Sequence, residues 1–284
     1  MRKNVLFIYS DASQRKDFSC YFEYINKVLG DSFEEINFFK SPSLEATLDK
    51  AKECCGVYDS LVIVSGDGTF QHVLSALASL ENVPKIGYIN KGTLGDVGKN
   101  FGINRNIKKS LKIIKNGYTC PADFISDGKE GFEFVAAVGN FSDIPYKVNR
   151  KAKKLFRRFS YYILATTELF SSKHIHYHVK SKDLDIRGEA PFIMLMNGKY
   201  VGGFKVNRKS KISDGIAELY LSKKGLFGGL LNYVFNRNKP IKINSDITIE
   251  VEENLPWDYD GEQKTPGTRT FSIMKNRFSI YYRR

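Results

Sequence analysis

Two glycine-rich segments carry the residue types that best suit phosphate chemistry. The first is Ser65-Gly66-Asp67-Gly68-Thr69, which directly follows the apolar run "LVIV", and the second, "NKGTLGDVGK", contains Thr93 and Asp96. Glycine permits positive φ angles and lets backbone N–H groups approach a phosphate closely. A carboxylate beside a phosphate requires a divalent cation between the two negative charges. The spacing therefore predicts a site for a nucleotide and Mg²⁺.

Each segment also has a simpler interpretation. Gly-Asp-Gly is common in tight turns, where Asp67 would only cap the following helix. The second segment resembles a Walker A loop, but its glycine spacing is one residue too long and Asn100 stands where that loop needs Ser or Thr. We therefore exclude the Walker A loop and keep the nucleotide site and the capped turn as alternatives.

The elements that must present these segments are strands ending at one edge of a parallel sheet. We expect the strand "LVIV" to end at Val64 and the next helix to begin near Phe70, because open α/β sheets bind ligands at the carboxyl ends of their strands. Residues 1–123 alternate short apolar runs with helical patterns, which is typical of βαβ units. In one of these helices Ser41 is the predicted N-cap and Pro42 the first helical residue.

From residue 124 onward most segments have the pattern of strands. They are "FEFVAAVG", "HIHYHVK", "APFIMLMNG", "IAELYLS", "DITIEVE" and "RFSIYY". We therefore predict an α/β nucleotide-binding domain over 1–123 and a mainly antiparallel β domain over 124–284. The last strand is free to return to the first domain.

Composition indicates a globular protein with an anionic partner. The 284 residues are 42% hydrophobic, and 44 Lys and Arg against 31 Asp and Glu give a net charge of +13. Seven basic residues without an acid lie between 147 and 158 and are followed by aromatic residues up to 163, a pattern that suits peripheral contact with an anionic membrane surface. A solvated helix face is the alternative for this stretch. No nucleic-acid-binding motif is present, so we expect no nucleic acid partner.

Cysteine and histidine usage predicts neither a zinc centre nor a disulfide framework. The four cysteines have no zinc-ligand spacing, which favours a reducing cytoplasm, and no apolar run is long enough to span a membrane. His174, His176 and His178 alternate and so share one face of a strand. A metal site is conceivable there, but we predict polar residues on the solvent face of an edge strand.

The segments together resemble the diacylglycerol kinase catalytic-domain family, which includes bacterial soluble lipid kinases and sphingosine kinases and is distantly related to NAD kinases. The family's Gly-Gly-Asp-Gly-Thr corresponds to residues 65–69, and its Gly-Thr-x-Asn-Asp corresponds to residues 92–96. The resemblance continues through "NGKYVGGFKVNRKSKISDGIAEL" to the Asp-Gly-Glu of residues 260–262, and so covers most of the chain.

The resemblance implies an ATP- and Mg²⁺-dependent kinase with an α/β domain followed by a β-sandwich domain, acting on a hydroxyl of diacylglycerol or a related lipid. By position, residues 65–69 and Thr93 would hold ATP, and Asp67, Asp96 and Asp123 would handle Mg²⁺ or the phosphate network. Asp260 would be the general base, supported by Glu262, with Asp258 as the rival candidate for the base. A hairpin turn is the simpler interpretation of residues 257–263. A structural Mg²⁺ would fall on Asp214, with Lys211 and Ile216 supplying backbone carbonyls.

Departures from the family pattern define the alternatives. The family's Asn-Pro-x-Ser-Gly loop is replaced by residues 10–14, "SDASQ", and Gly95 stands where the family has Asn. A catalytically silent protein that binds nucleotide or lipid is therefore one alternative. An NAD kinase-like enzyme is the other, although the Asn-Glu pair and the Thr-Pro-Thr-Gly-Ser segment of that family are missing. The sequence leaves the choice of lipid and the oligomeric state, including a homodimer, open.

Overall fold

The computed structural model describes residues 2–10, 17–92, 95–103, 105–139, 174–201, 204–205, 207–221, 239–252, 254–260 and 262–284. The chain forms two compact units: unit 1 comprises residues 1–123 and 276–284, and unit 2 comprises residues 124–275. The predictions made for residues 11–14, for Thr93 and for the basic stretch 147–163 lie outside the described residues.

Unit 1 is built on a parallel sheet with helices packed on it. Its strands are β1 Arg2–Tyr9, β2 Phe33–Lys40, β3 Ser60–Ser65 and β4 Lys85–Asn90, in the order β2-β1-β3-β4. Its helices are a 3-10 helix Phe18–Tyr21, α1 Phe22–Leu29, α2 Leu44–Glu53, α3 Asp67–Leu77, α4 Asp96–Asn100 and α5 Ile107–Asn116. The apolar runs of β1, β3 and β4 are buried, as expected for strands covered on both faces. The predicted α/β architecture of this part is confirmed.

Two helix starts differ from the prediction. Helix α2 begins at Leu44, because the Ser43 hydroxyl and not Ser41 accepts the hydrogen bond from Ala46 N–H (3.1 Å). Ser41 is instead buried and donates to the Ser43 carbonyl. Helix α3 begins at Asp67, three residues before the predicted start at Phe70, so most of the first glycine segment is helical.

Unit 2 is mainly antiparallel, which confirms the predicted class of the second domain. The strands after β4 are β5 Thr119–Ser126, β6 Gly131–Phe132, β7 Val135–Gly139, β8 Ile175–Ser181, β9 Leu184–Ala190, β10 Phe192–Met196, β11 Tyr200–Val201, β12 Phe204–Lys205, β13 Ala217–Leu221, β14 Ile241–Ile243, β15 Ile247–Val251, β16 Pro256–Tyr259, β17 Glu262–Pro266 and β18 Arg269–Tyr281. One sheet has the order β14-β13-β10-β7-β16-β17, and β15, β8 and β9 pair side by side. Trp257, Tyr259 and Phe271 pack edge to face within the core of this unit.

Strand β18 begins in unit 2, and its last residues belong to unit 1. Ile280 pairs in parallel with Ile86 of β4, which extends the sheet of unit 1 by one strand. The Tyr281 hydroxyl lies 2.8 Å from both the Arg2 guanidinium and the Ser60 hydroxyl. Residues 276–284 are therefore an integral part of the N-terminal fold.

Arg277 closes the carboxyl end of α3. Its guanidinium donates to the carbonyls of Leu77 (2.9 Å), Ala78 and Leu80, and of these the Leu77 carbonyl also accepts from Leu80 N–H (3.1 Å). We expect Arg277→Met to lower the free energy of unfolding by about 2–3 kcal/mol, since hydrogen bonds to a charged donor are lost and part-buried carbonyls lose their partner. Urea denaturation measures the change. Arg283→Met removes an exposed arginine from the same segment and serves as the matched control; an equal loss in both variants would contradict the capping role.

Candidate active site

The two glycine segments of unit 1 touch through their backbones. A Cβ atom added to Gly92 would lie 2.9 Å from the Gly66 Cα and 3.3 Å from the Asp67 nitrogen. Gly66 has φ −83° and Gly68 lies within α3, so neither position uses the positive φ that glycine permits. Glycine is required for space at position 92, where the backbone of the second segment packs against the amino end of α3.

Asp67 joins the first segment to the second. Its Oδ1 accepts a hydrogen bond from the Tyr88 hydroxyl (3.0 Å), and its Oδ2 accepts one from Gly95 N–H (2.7 Å). A side chain at the first turn of α3 thus fixes the backbone that follows β4. Asp67 therefore does more than cap its own helix, which was the simpler interpretation of the motif.

Gly95 and Asn90 are matched to each other. Gly95 has φ +69°, and a Cβ atom there would lie 2.3 Å from the Asn90 Nδ2. The Asn90 Oδ1 accepts from Gly92 N–H (2.8 Å), so this side chain fills the space beside the second segment. Asparagine also tolerates the left-handed region, but here the position of Asn90 leaves room only for glycine.

The other residues predicted for this site lie in four different helices and strands. Ser65 ends β3, and its hydroxyl donates to the Gly66 carbonyl (3.0 Å). Thr69 lies in the first turn of α3, and Asp96 is the first residue of α4, although the Asp96 side chain is outside the described part of the structure. Asp123 is buried, and its Oδ1 accepts from Asn276 N–H (2.7 Å). The Asp123 carboxylate thus holds the returning strand of unit 1, and its assignment to the phosphate network stays a prediction.

In unit 2, Asp260 occupies the turn of a hairpin. Tyr259 of β16 pairs with Glu262 of β17, which leaves a two-residue turn with φ +50° at Asp260. The simpler interpretation of this segment as an Asp-Gly hairpin is confirmed, and it is compatible with a chemical role. Non-glycine residues with positive φ are uncommon outside turns and strained sites.

Backbone N–H groups from a distant segment hold the Asp260 carboxylate. It accepts hydrogen bonds from Glu133 N–H (2.9 Å), Phe134 N–H (3.2 Å) and Val135 N–H (2.9 Å). Burial of the carboxyl group raises the pKa of Asp260 to about 7, although these hydrogen bonds act to lower it and the charge of Asp258 adds to the rise. A pKa near 7 suits a group that must take up a proton at neutral pH.

Asn197 secures the segment that holds Asp260, a role that the sequence analysis did not assign. Its backbone N–H donates to the Phe134 carbonyl (2.8 Å), and its side-chain Nδ2 donates to the Glu133 carbonyl (3.1 Å). The signal in the sequence was the Asn197-Gly198 pair that opens the family-like segment. Glu262 follows the turn and has its carboxylate 3.7 Å from the Lys264 ammonium.

The predicted metal residues form an exposed turn. The Asp214 Oδ1 accepts from Ile216 N–H (3.2 Å), and Gly215 has φ +68°. Lys211 lies just before this turn and is exposed. Among the described residues no group of three or more His, Cys, Asp or Glu is placed to hold a metal ion. The predicted set has one carboxylate and two backbone carbonyls, and oxygen atoms of these kinds are the ligands that Mg²⁺ accepts.

Glu218 is another buried carboxylate, and the sequence analysis did not identify it. It accepts from the Ser210 hydroxyl (3.1 Å), and the same hydroxyl accepts from Gly198 N–H (3.0 Å). Burial raises the pKa of Glu218 to about 7, and the charge of Asp214 contributes to the rise.

The histidines lie on a charged face of unit 2. His178 lies between Asp185 (2.6 Å) and Glu250 (3.3 Å), and His176 lies 3.1 Å from Glu189. The interaction with His178 lowers the pKa of Asp185. The expectation of an edge strand is wrong, because β8 pairs with β9 on one side and β15 on the other. Carboxylates from both neighbours occupy the ring nitrogens of His178, which favours the predicted polar face over a metal site.

Comparison with known proteins finds sequence similarity to diacylglycerol kinases. Residues 4–126 match the family model described as the diacylglycerol kinase catalytic domain. A diacylglycerol kinase of Staphylococcus carnosus is 24% identical over 99% of this chain and 95% of its own length. A diacylglycerol kinase of Bacillus subtilis is 25% identical over 92% of this chain and 90% of its own length.

Solved structures share the fold. A diacylglycerol kinase structure from Bacillus anthracis superimposes with a TM-score of 0.83 at 21% identity and covers 99% of this chain and 97% of that one. An NAD kinase from Archaeoglobus fulgidus in complex with ATP gives a TM-score of 0.54 at 18% identity over 99% of this chain and 93% of that one. The predicted relationship in architecture to both groups is confirmed.

Proposed function

We propose that this chain, whose residues 4–126 match the diacylglycerol kinase catalytic-domain model, is a lipid kinase that transfers the γ-phosphoryl group of ATP to a hydroxyl of diacylglycerol or a related lipid. The observation that carries this proposal is the Asp260 carboxylate, which is partly buried, has a pKa of about 7 and is held by three backbone N–H groups. A fixed carboxylate with this pKa has the property required of a base that deprotonates an alcohol at neutral pH.

The residues of unit 1 fit a nucleotide phosphate. Gly66 and Gly92 pack against each other at the amino end of an 11-residue helix, and the N–H groups at such an end favour anions. The Asp67 carboxylate fixes the second segment to the first through its hydrogen bonds with the Tyr88 hydroxyl and Gly95 N–H. The proposed ATP-binding residues are therefore Ser65 to Thr69, Thr93 and Asp96.

Phosphoryl transfer depends mainly on positioning and on neutralising spread-out negative charge. Mg²⁺, when bound, would supply part of that neutralisation. In the proposed reaction the Asp260 carboxylate orients the lipid hydroxyl and accepts its proton as the alcohol oxygen bonds to phosphorus and ADP departs. Glu262 supports the base from the neighbouring strand. A separate structural Mg²⁺ is proposed at Asp214, Lys211 and Ile216.

The test is transfer of ³²P from ATP and Mg²⁺ to mixed micelles that contain diacylglycerol, monoacylglycerol, sphingosine and phosphatidylglycerol, with NAD as a separate acceptor. We expect label in a lipid. Label in NAD alone would favour an NAD kinase-like enzyme, and ATP binding with no labelled acceptor would favour a silent binding protein.

The same micelles test our proposal that the protein contacts anionic membrane surfaces peripherally. With a net charge of +13, transfer should rise with the fraction of phosphatidylglycerol and fall with added salt. No helix among the described residues has the length and apolar character needed to cross a bilayer.

Protonation of Asp260 should set the acidic limb of the pH profile. Because a base must be deprotonated to act, we expect kcat/KM to fall about tenfold per pH unit below a midpoint near 7 and to level off above it. Initial rates between pH 5 and pH 9 measure this. Asp258→Asn should move the midpoint to lower pH, because the Asp258 charge raises the pKa of Asp260; an unchanged midpoint would argue against Asp260 as the titrating group.

A further inference from the structure

Lys91 is a partly buried cation at the junction of the two glycine segments. It follows β4 directly, and its backbone N–H donates to the Ser65 carbonyl (2.8 Å), which places it beside the first residue of the Gly66-Asp67-Gly68 turn. The next residue is Gly92, whose backbone lies against Gly66. Lys91 therefore stands at the carboxyl end of the parallel sheet, at the edge where such sheets bind ligands.

The surroundings of the Lys91 ammonium are aromatic. The Nζ lies 5.3 Å from the ring centroid of Tyr21 and 5.8 Å from that of Phe18. Burial lowers the pKa of Lys91. Among the residues whose side chains are described, no carboxylate forms an ion pair with this ammonium. A partly desolvated cation with two ring contacts and no carboxylate partner among these residues lacks the counter-charge that usually accompanies burial.

A phosphate group would supply that counter-charge. Lysine binds phosphates as a compact point charge and offsets the negative charge that spreads over a transferred phosphoryl group. We propose that Lys91 is a further nucleotide-binding residue, whose ammonium contacts a phosphate of the bound nucleoside triphosphate. The inference rests on the proposed function for the location of ATP, and it adds a residue that the family-like motifs do not include.

The test compares the binding of ATP and adenosine to the full chain by calorimetry. We expect Lys91→Met to weaken ATP binding at least about tenfold and to leave adenosine binding unchanged, because the lost contact is to phosphate. Lys91→Arg should retain most of the affinity for ATP. Lys85→Met, at the exposed opposite end of β4, is the matched control and should bind ATP like the unmodified protein.

A purely structural role for Lys91 predicts that Lys91→Met loses melting temperature and ATP affinity together, whereas our proposal predicts a loss of ATP affinity alone. Methionine fits an aromatic environment, so the melting temperature of Lys91→Met should be equal to or above that of the unmodified protein while the affinity for ATP falls. ATP affinity within about twofold of the unmodified value would overturn the proposal, and so would the failure of the unmodified protein to bind ATP. The proposal would also be overturned if Lys91→Met bound ATP normally and lost only its binding to vesicles of phosphatidic acid, because the phosphate contact would then be to a lipid headgroup.

These outcomes are independent of the transfer assay. If the unmodified protein binds ATP and Lys91→Met does not, the assignment of Lys91 stands even when no lipid is labelled. If lipids are labelled and Lys91→Met binds ATP normally, the kinase proposal stands and the assignment of Lys91 fails.

Discussion

Asp260→Asn is expected to reduce phosphoryl transfer to the lipid about 10²- to 10⁴-fold, the usual contribution of a general base. The amide cannot accept the hydroxyl proton, while the nucleotide-binding residues of unit 1 are unchanged. The affinity for ATP should therefore stay within about twofold of the unmodified value. Single-turnover transfer and calorimetric binding of ATP measure the two effects separately.

The choice of asparagine is deliberate, because Asp260 also holds a backbone segment. Alanine would leave the N–H groups of Glu133, Phe134 and Val135 without an acceptor, at about 1–3 kcal/mol for each buried group. Asparagine keeps one acceptor oxygen, and circular dichroism reports whether unit 2 remains folded. Asp183→Asn, an exposed substitution in the same unit, is the matched control. Retention of more than a tenth of the activity by a folded Asp260→Asn would assign the base to another residue, with Asp258 as the first candidate.

Asp67→Ala is expected to reduce kcat/KM for ATP by about a hundredfold or more. The substitution removes the acceptor for both the Tyr88 hydroxyl and Gly95 N–H, so the second glycine segment loses its tie to the first. Displacement of a positioned group by about 1 Å can cost a factor of this size. Initial rates at varied ATP concentration and the Mg²⁺ dependence of ATP binding measure the loss.

Tyr88→Phe separates the two hydrogen bonds of Asp67. It removes the hydroxyl contact and leaves the bond to Gly95 N–H, so we expect only a few-fold loss of kcat/KM. Equal losses in Tyr88→Phe and Asp67→Ala would show that the aromatic hydroxyl, and not the link between the segments, is the important partner. Unchanged kinetics in Asp67→Ala would refute the proposed nucleotide site.

The sequence predicted the class of fold because local patterns follow burial. Strands β1, β3 and β4 contain buried apolar runs, and α5 ends at Gly117 with φ +76°, a conformation that favours glycine at a helix end. The start of α3 was placed too late because Gly66 at the N-cap and Gly68 in the first turn argue against a helix on propensity alone. Contacts with Tyr88 and Gly95 stabilise this first turn, and both residues lie too far along the chain to enter a prediction of the helix start from neighbouring residues.

The motifs identified candidate residues but not their partners. The segment that holds Asp260 lies 125 to 127 residues earlier in the chain. The role of Asn90 depends on the space that Gly95 leaves, which only the folded loop defines. The central position of β8 was missed because its partner β9, "LDIRGEA", alternates polar residues and has a weak strand signal. Long-range pairing therefore decided the partners of Asp260 and the central position of β8.

The return of β18 to unit 1 constrains the order of events on the ribosome. The end of β18, which pairs with β4, is synthesised after residues 124–275. Until it emerges from the exit tunnel, one side of β4 in the nascent chain has no partner strand. An unpaired strand edge invites association with other chains. Unit 2 can complete its own core during this interval, and we expect chaperones to protect the waiting segment until translation reaches Tyr281.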